Sequence, residues 1–199
     1  MRNTASERPS VPARRPSSGR RHHFGWQSEG VATLATPELS TERLVLSALK
    51  VAYATEMVEV LSASELYEFT GGTAPTESEL RQRYRDQLAG PSDPIEQWHN
   101  WIVRLGSDGP AMGYVQATVR GGHAEIAWVI GRPWQGRGYA TEATRAMFAW
   151  LTSIGDVQEV TANIHPDHTG SRRVASSAGL EPSSKTVDGE QVWQWLSRS

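Results

Sequence analysis

Gln135-Gly136-Arg137-Gly138-Tyr139-Ala140 is the segment whose residue types and spacing speak most directly of chemistry. It follows an apolar run, His123 to Ile130, and precedes a stretch in which Ala140, Ala143, Met147, Trp150 and Leu151 recur at helical spacing. The first turn of a helix presents unpaired N–H groups and the positive end of the macrodipole. Glycines let the backbone close around an anion without Cβ obstruction. Strand, glycine loop and helix in that order make a pyrophosphate site, and Arg137 adds a charge-assisted contact to phosphate. Two other phosphate loops fit less well. A Rossmann fingerprint wants Gly or Ala where this chain has Thr141, and it sits in a parallel βαβ unit, whereas this strand belongs to a hairpin. A Walker loop needs Gly-Lys-Ser/Thr, which is absent.

Other reactive residue types are sparse. Glu125 is the one charge in the middle of the 123–130 run. Glu142, in the first turn after the loop, is favoured there by the helix dipole alone and reads as structural. His165, Asp167 and His168 fall around Pro166 with no further ligand at recognisable spacing, so no metal is expected. There are no cysteines, which excludes disulfides, a thiolate nucleophile and thiolate metal sites.

The elements that position these residues follow from pattern. Residues 1–36 are rich in Pro, Ser and Arg and read as a disordered basic extension, because they cannot bury enough surface to offset ordering entropy. Arg20-Arg21-His22-His23 within it would suit RNA or an acidic surface, although a solvated tail is the commoner meaning of such a run. Residues 37–199 form a single folded domain starting near Leu39. Leu44–Leu46 is a strand, Tyr53, Met57, Val58 and Leu61 recur at helical spacing, and Thr76 with Glu79 forms a capping box opening a helix to about Leu88. Trp101–Leu105, Met112–Arg120 and His123–Ile130 are three strands joined by short turns, an antiparallel meander. The third is apolar on both faces, so it should be central and covered on both sides. A helix from Gly138 to about Leu151, a strand Gln158–Ile164, a helix Thr169–Ala178 and a strand Val192–Leu196 complete an α+β fold around a mixed, mostly antiparallel sheet flanked by helices.

Composition narrows the partners. The formal charge of −2 over 199 residues gives no electrostatic reason to expect nucleic acid. The charge is uneven: residues 1–30 hold six Arg against Glu7 and Glu29, near +4, which leaves the remainder near −6. No apolar run approaches the roughly 18 residues needed to span a bilayer, so no membrane is expected. The basic start is followed by no apolar stretch, and a cytoplasmic location is the default.

The segment from His123-Ala124-Glu125-Ile126-Ala127-Trp128-Val129-Ile130 through Trp134-Gln135-Gly136-Arg137-Gly138-Tyr139-Ala140-Thr141-Glu142-Ala143 resembles the GNAT N-acetyltransferase superfamily: its central strand, its Gln/Arg-x-x-Gly-x-Gly/Ala loop and its following helix. Ser40 to Leu46 resembles the opening strand of the branch containing ribosomal-protein-alanine N-acetyltransferases, and Asn163 to Leu180 resembles the helix bordering the thioester. The resemblance covers about residues 39–196. It implies acetyl-CoA as donor, with direct transfer to an amine in a ternary complex.

Residue by residue, the resemblance places cofactor contacts at Trp128, Val129, Ile130, Gln135, Gly136, Arg137, Gly138, Tyr139, Ala140, Thr141, His168 and Ser171. The acceptor amine must lose a proton, since lysine amines titrate near 10.4 and α-amines near 8. Glu125 is the candidate general base, directly or through water, with burial expected to raise its pKa; a structural carboxylate is the competing reading. Backbone N–H groups near Trp128 to Ile130 would meet the oxyanion. Where many relatives carry a Tyr acid the matching position is Ala175, and where relatives often carry Asn this chain has His168. Ser171 is therefore the candidate acid and His168 the second, although a hydroxyl at a helix N-terminus is often only a cap.

The acceptor should sit among the early helices, their loop at about Glu65 to Thr76, and the C-terminal strand. Tyr67, Phe69, Trp98, Trp101, Trp193 and Trp195 would supply aromatic surface, and Glu65 and Glu68 would attract a cation. The acceptor is expected to be a small molecule or a protein N-terminus. A coenzyme A-binding module with decayed catalysis is the alternative. The Trp-rich last strand offers an edge for a homodimer.

Overall fold

The structure, a computed structural model, describes residues 34–154 and 157–197. Most of the expected basic extension lies outside these residues. Leu34 and Thr36, at its end, are bonded to the third strand, Leu34 N–H to Gln97 Oε1 at 3.1 Å and Thr36 Oγ1 to His99 Nδ1 at 3.0 Å.

Among the described residues, eight strands form one sheet in the order β1-β2-β3-β4-β5-β6-β8-β7. They are β1 (Leu39–Ser40), β2 (Leu44–Ala48), β3 (Glu96–Leu105), β4 (Ala111–Arg120), β5 (His123–Ile130), β6 (Glu159–Ile164), β7 (Glu181–Val187) and β8 (Glu190–Leu196). Four helices flank it: α1 (Ala54–Val60), α2 (Glu77–Ala89), α3 (Tyr139–Ser153) and α4 (Thr169–Ser177). Every neighbouring pair is antiparallel except β5 and β6. Chain reversal at Gly121-Gly122 makes β4–β5 a hairpin, whereas β5 reaches β6 only by crossing over through α3.

Alternation along the strands divides the core in two. Trp101, Val103, Val115, Ala117, Ala124, Ile126 and Ile130 pack on the side of α3, with Met147 and Leu151 of that helix among them. Ile102, Tyr114 and Val129 face the other side and pack against α1 and α2 through Met57, Leu80 and Tyr84. The capping box opens α2 as the sequence indicates: Thr76 Oγ1 accepts from Glu79 N–H at 3.3 Å, and Glu79 Oε2 accepts from Thr76 N–H at 2.7 Å.

Besides the two-residue β1, which the sequence reading left out, the fold departs from it in three places. β3 begins at Glu96, five residues before Trp101, and its early half pairs fully with β4. β7 was not foreseen, because Glu181-Pro182-Ser183-Ser184-Lys185-Thr186-Val187 is polar and mostly exposed. It is tied to β8 by Asp188 and Gly189, both at positive φ (49° and 86°), the geometry of a two-residue hairpin turn. Third, β5 is not covered along its whole length on both sides. Glu125 and Ala127 are exposed, since α1 and α2 cover only the end of that face around Val129.

Candidate active site

β5 and β6 pair over only three residues, His123↔Glu159, Ala124↔Val160 and Glu125↔Thr161, and then part. On its other edge β5 stays paired with β4 to Ile130. Gly131 N–H donates to Met112 O at 2.7 Å, so the alternation of an antiparallel ladder turns the peptide groups of Ala127 and Val129 to β4 and those of Ile126, Trp128 and Ile130 away from it, toward the gap. The Ile130 carbonyl is met by Gln135 Nε2 at 2.8 Å. The peptide N–H of Trp128 faces the opening left by β6, while that of Val129 is committed to β4. Of the backbone donors expected from Trp128 to Ile130, Val129 is therefore excluded by the pleat.

The glycine loop lies at the end of this gap. Gly136 and Gly138 have φ of +75° and +81°, a region that side chains rarely adopt, and a Cβ on Gly136 would meet nothing within 4 Å. No side chain caps α3 at Gly138, so the first-turn N–H groups point into the loop. Glu142 fixes the loop from behind. Its carboxylate accepts from Thr41 Oγ1 at 2.6 Å, from Arg43 N–H at 3.0 Å and from Arg43 Nε at 2.7 Å, and Arg43 Nη1 donates to the Arg137 carbonyl at 3.1 Å. Burial works against the Glu142 charge, but these donors outweigh it and hold its pKa below the ordinary value.

A cleft of roughly 650 Å³ runs from this loop along the β5–β6 gap to α2, a volume ordinary for small-molecule sites. Trp128, Val129, Ile130, Gln135, Gly136, Gly138, Tyr139, Ala140, Thr141, His168 and Ser171 all line it. Arg137 does not: its side chain is exposed and outside the lining. Glu125 is exposed, where the sequence reading expected it buried. It lies at the last paired residue before the gap opens, outside the lining, and accepts from Asn163 Nδ2 at 3.2 Å; Asn163 does line the cleft.

His168 rather than Ser171 is the N-cap of α4. Its Nδ1 accepts from the Ser171 N–H at 3.4 Å, which leaves the proton on Nε2. Its ring stacks on Phe69 with centroids 4.6 Å apart, and Phe69 also meets His165 at 5.2 Å. These contacts carry the loop after α1 across to the turn before α4. Burial, seconded by the charge His165 would carry, lowers the His168 pKa against the opposing pull of Glu68. Ala175 is fully buried and its methyl group can donate no proton, so no side-chain acid stands at that position. Among the described residues no His, Asp or Glu cluster of metal-binding form occurs, and no helix is long and apolar enough to cross a membrane.

Residues 43–181 match the acetyltransferase (GNAT) domain family. This chain belongs to the GNAT acetyltransferases. That places it in the acyltransferase class. No curated protein matches its sequence. Solved GNAT-like structures show the same fold. The acetyltransferase (GNAT family) from Bacillus anthracis superposes with a TM-score of 0.69 at 19% identity, over 80% of this chain and 98% of that one. RimL, a ribosomal alpha-N-protein acetyltransferase solved with coenzyme A, gives 0.68 at 12% identity over 80% and 98%. The aminoglycoside acetyltransferase AAC(6')-Ib, solved with coenzyme A, gives 0.63 at 21% identity over 77% and 94%.

The acceptor side of this GNAT chain differs from the sequence reading. Of the six aromatic residues expected there, Tyr67, Phe69 and Trp101 line the cleft. Trp98 instead donates to Glu96 at 2.7 Å, Trp193 is buried against the α3 side, and Trp195 packs edge-on to Phe148. The pleat sends these side chains to the far side of the sheet or to its margin. The C-terminal hairpin contributes Glu190 alone to the lining. Sequence reasoning missed Arg83, Tyr84 and Gln87 of α2 and Asn100, Tyr114 and Gln116 of β3 and β4, which line the cleft over the sheet. The signal was available for α2, where Leu80, Arg83, Tyr84 and Gln87 share one helical face.

Proposed function

We propose that this chain transfers the acetyl group of acetyl-CoA directly to a primary amine, carried by a small molecule or a protein N-terminus. The observation that carries the reading is the parting of β5 from β6 beside an uncapped α3 N-terminus with two glycines at positive φ. Such a loop fits a pyrophosphate, and the gap fits an extended acyl arm whose amides would pair with the free edge of β5. Family membership supports the donor, as do the relatives solved with coenzyme A.

In this reading the amine, reached from the α2 side, gives up its proton to Glu125 through water, since the carboxylate stands just outside the gap. The new C–N bond forms as the C–S bond breaks. The Trp128 N–H stabilises the charge on the carbonyl oxygen. The departing thiolate, with a solution pKa near 8.5, takes its proton from Ser171, from His168 Nε2 or from solvent. The amine acceptor distinguishes this from a coenzyme A-binding module without catalysis. That second reading is favoured by the buried Ala175 and the exposed position of Glu125. Release of free thiol from acetyl-CoA in the presence of an amine panel separates the two: acceptor-dependent release is expected, and tight binding with no release over any acceptor would establish the second reading.

A further inference from the structure

The face of the sheet beneath α2 is laid out in rows by its register. Asn100, Gln116 and Ala127 lie side by side, and Ile102, Tyr114 and Val129 form the next row. α2 crosses above them with Leu80, Arg83, Tyr84 and Gln87 lining the cleft. Its other half-buried arginine, Arg81, is paired with Glu77 at 2.7 Å, and Arg104 of β3 is paired with Glu56. Arg83 is half-buried and makes no hydrogen bond or ion pair among the described residues.

The residue beside it carries a buried group with no partner. Tyr84 is 4% exposed, it lines the same cleft, and its hydroxyl has no hydrogen-bond partner. Burial raises the pKa of the Tyr67, Tyr84 and Tyr114 hydroxyls, and the Arg83 charge works against that rise in all three, so one guanidinium lies within electrostatic reach of three phenols. A buried hydroxyl without a partner costs free energy; the Arg83 charge is also felt by Glu79, one turn earlier on α2, but that carboxylate is exposed and bonded to Thr76 in the capping box. Guanidinium and phenol O–H groups are donors, and a planar carboxylate is the acceptor that a guanidinium grips with two parallel bonds. The acidic residues of the loop, Glu65 and Glu68, line the same cleft from its exposed side. Glu65 stands 4.0 Å from Arg132. Leu66 and Phe69 add apolar wall to the same cleft.

We propose that the acceptor is a small amino-carboxylic acid, its carboxylate held by Arg83 and Tyr84 and its amine directed to the β5–β6 gap. This rests on the acetyl-transfer reading above. The carboxylate takes no part in the bond changes. The amine nitrogen gains the acetyl carbon and loses a proton, and the sulfur of the donor keeps the electron pair of the C–S bond. The carboxylate fixes which amine arrives.

The test sets α- and ω-amino acids against their own carboxamides, which keep the amine and side chain but lose the negative charge. Thiol release reports turnover, and thermal-shift titration with the same pairs in the absence of acetyl-CoA reads the carboxylate subsite by itself. The wild type is expected to favour an acid over its amide by about tenfold or more in kcat/KM, the worth of one charge-assisted pair. Arg83→Met should erase that preference while calorimetry shows acetyl-CoA affinity unchanged, and Arg83→Lys should retain part of it. Tyr84→Phe should raise KM for the acid several-fold without lowering Tm, because it deletes a hydroxyl that has no partner in the free protein. Equal use of acids and amides, a preference that survives Arg83→Met, or acetyl-CoA binding with no amino acid acetylated would each overturn the assignment. Failure to bind acetyl-CoA would instead remove the donor reading. In that case acid-selective thermal shifts lost in Arg83→Met still sustain the subsite, and their absence overturns it.

Discussion

At the scale of single residues, two titratable side chains show how burial sorts chemistry from structure. Glu125 looked like a buried base from its place in an apolar strand. It is exposed at the point where β5 and β6 part, held by Asn163 at 3.2 Å. A base there works through water, so Glu125→Gln is expected to lower kcat about 10- to 100-fold with KM for acetyl-CoA unchanged, below the largest general-base effects. Steady-state kinetics check this, and an unchanged kcat would remove Glu125 from the reaction. His99 is the opposite case. It is 1% exposed, with Thr36 at Nδ1, nothing at Nε2, and the Trp150 ring set edge-to-face against it, centroids 4.7 Å apart. Burial lowers its pKa to about 4 from 6.5. The unfolded chain then binds the extra proton between these values, so this contribution is whole above pH 6.5 and is lost as pH falls toward 4. Denaturation between pH 6.5 and 5 should register a loss of roughly 2 kcal/mol from this group, and His99→Phe should flatten that part of the profile.

At the scale of elements, what positions the phosphate loop is a latch from the opening strands. Glu142 holds Thr41 and both the backbone and side chain of Arg43, and Arg43 reaches on to the Arg137 carbonyl. Glu142→Gln is expected to cost about 1–2 kcal/mol of stability by chemical denaturation, as a lost charge-assisted set of bonds does, and to weaken acetyl-CoA binding a few-fold. Because the folded pKa of Glu142 is lowered, this stabilisation stands above the ordinary value of 4.5 and disappears as pH falls through the lower folded value. The loop and its helix were legible because glycine spacing, apolar periodicity and a preceding strand agree at that point. The capping box of α2 was legible for the same reason of local chemistry. The missed elements lack such agreement: β7 is polar with a Pro in it, and only Asp188-Gly189 betrays a hairpin. The first half of β3 mixes Glu, Gln, His and Asn with one Trp, so pairing with β4 rather than local pattern makes it a strand. Ser171 was weighed as a helix-end hydroxyl, but His168 does the capping, which a residue-type preference for hydroxyls at that position obscures.

At the scale of the whole molecule, the sheet order brings together parts distant in sequence. The crossover through α3 sets β6 beside β5 at one end only, and that single parallel pairing opens the gap on which the phosphate loop and α4 converge. α2 and β3–β4 close the other side, where Arg83 and the partnerless hydroxyl of Tyr84 line the cleft. The sequence pattern identifies the sheet and the loop, whereas the acceptor wall depends on which residues of three strands share a face, a property of register. The most direct test of the account is a calorimetric titration of acetyl-CoA into the wild type and into Gly138→Glu, with Tm as a folding control. Gly138 has a φ of +81° and opens the α3 N-terminus, so a side chain carrying negative charge there opposes a pyrophosphate both sterically and electrostatically. Micromolar binding in the wild type, lost by at least about 100-fold (some 2.7 kcal/mol) in a folded Gly138→Glu, is the result the account predicts. No binding by the wild type, or equal binding by the variant, would contradict it.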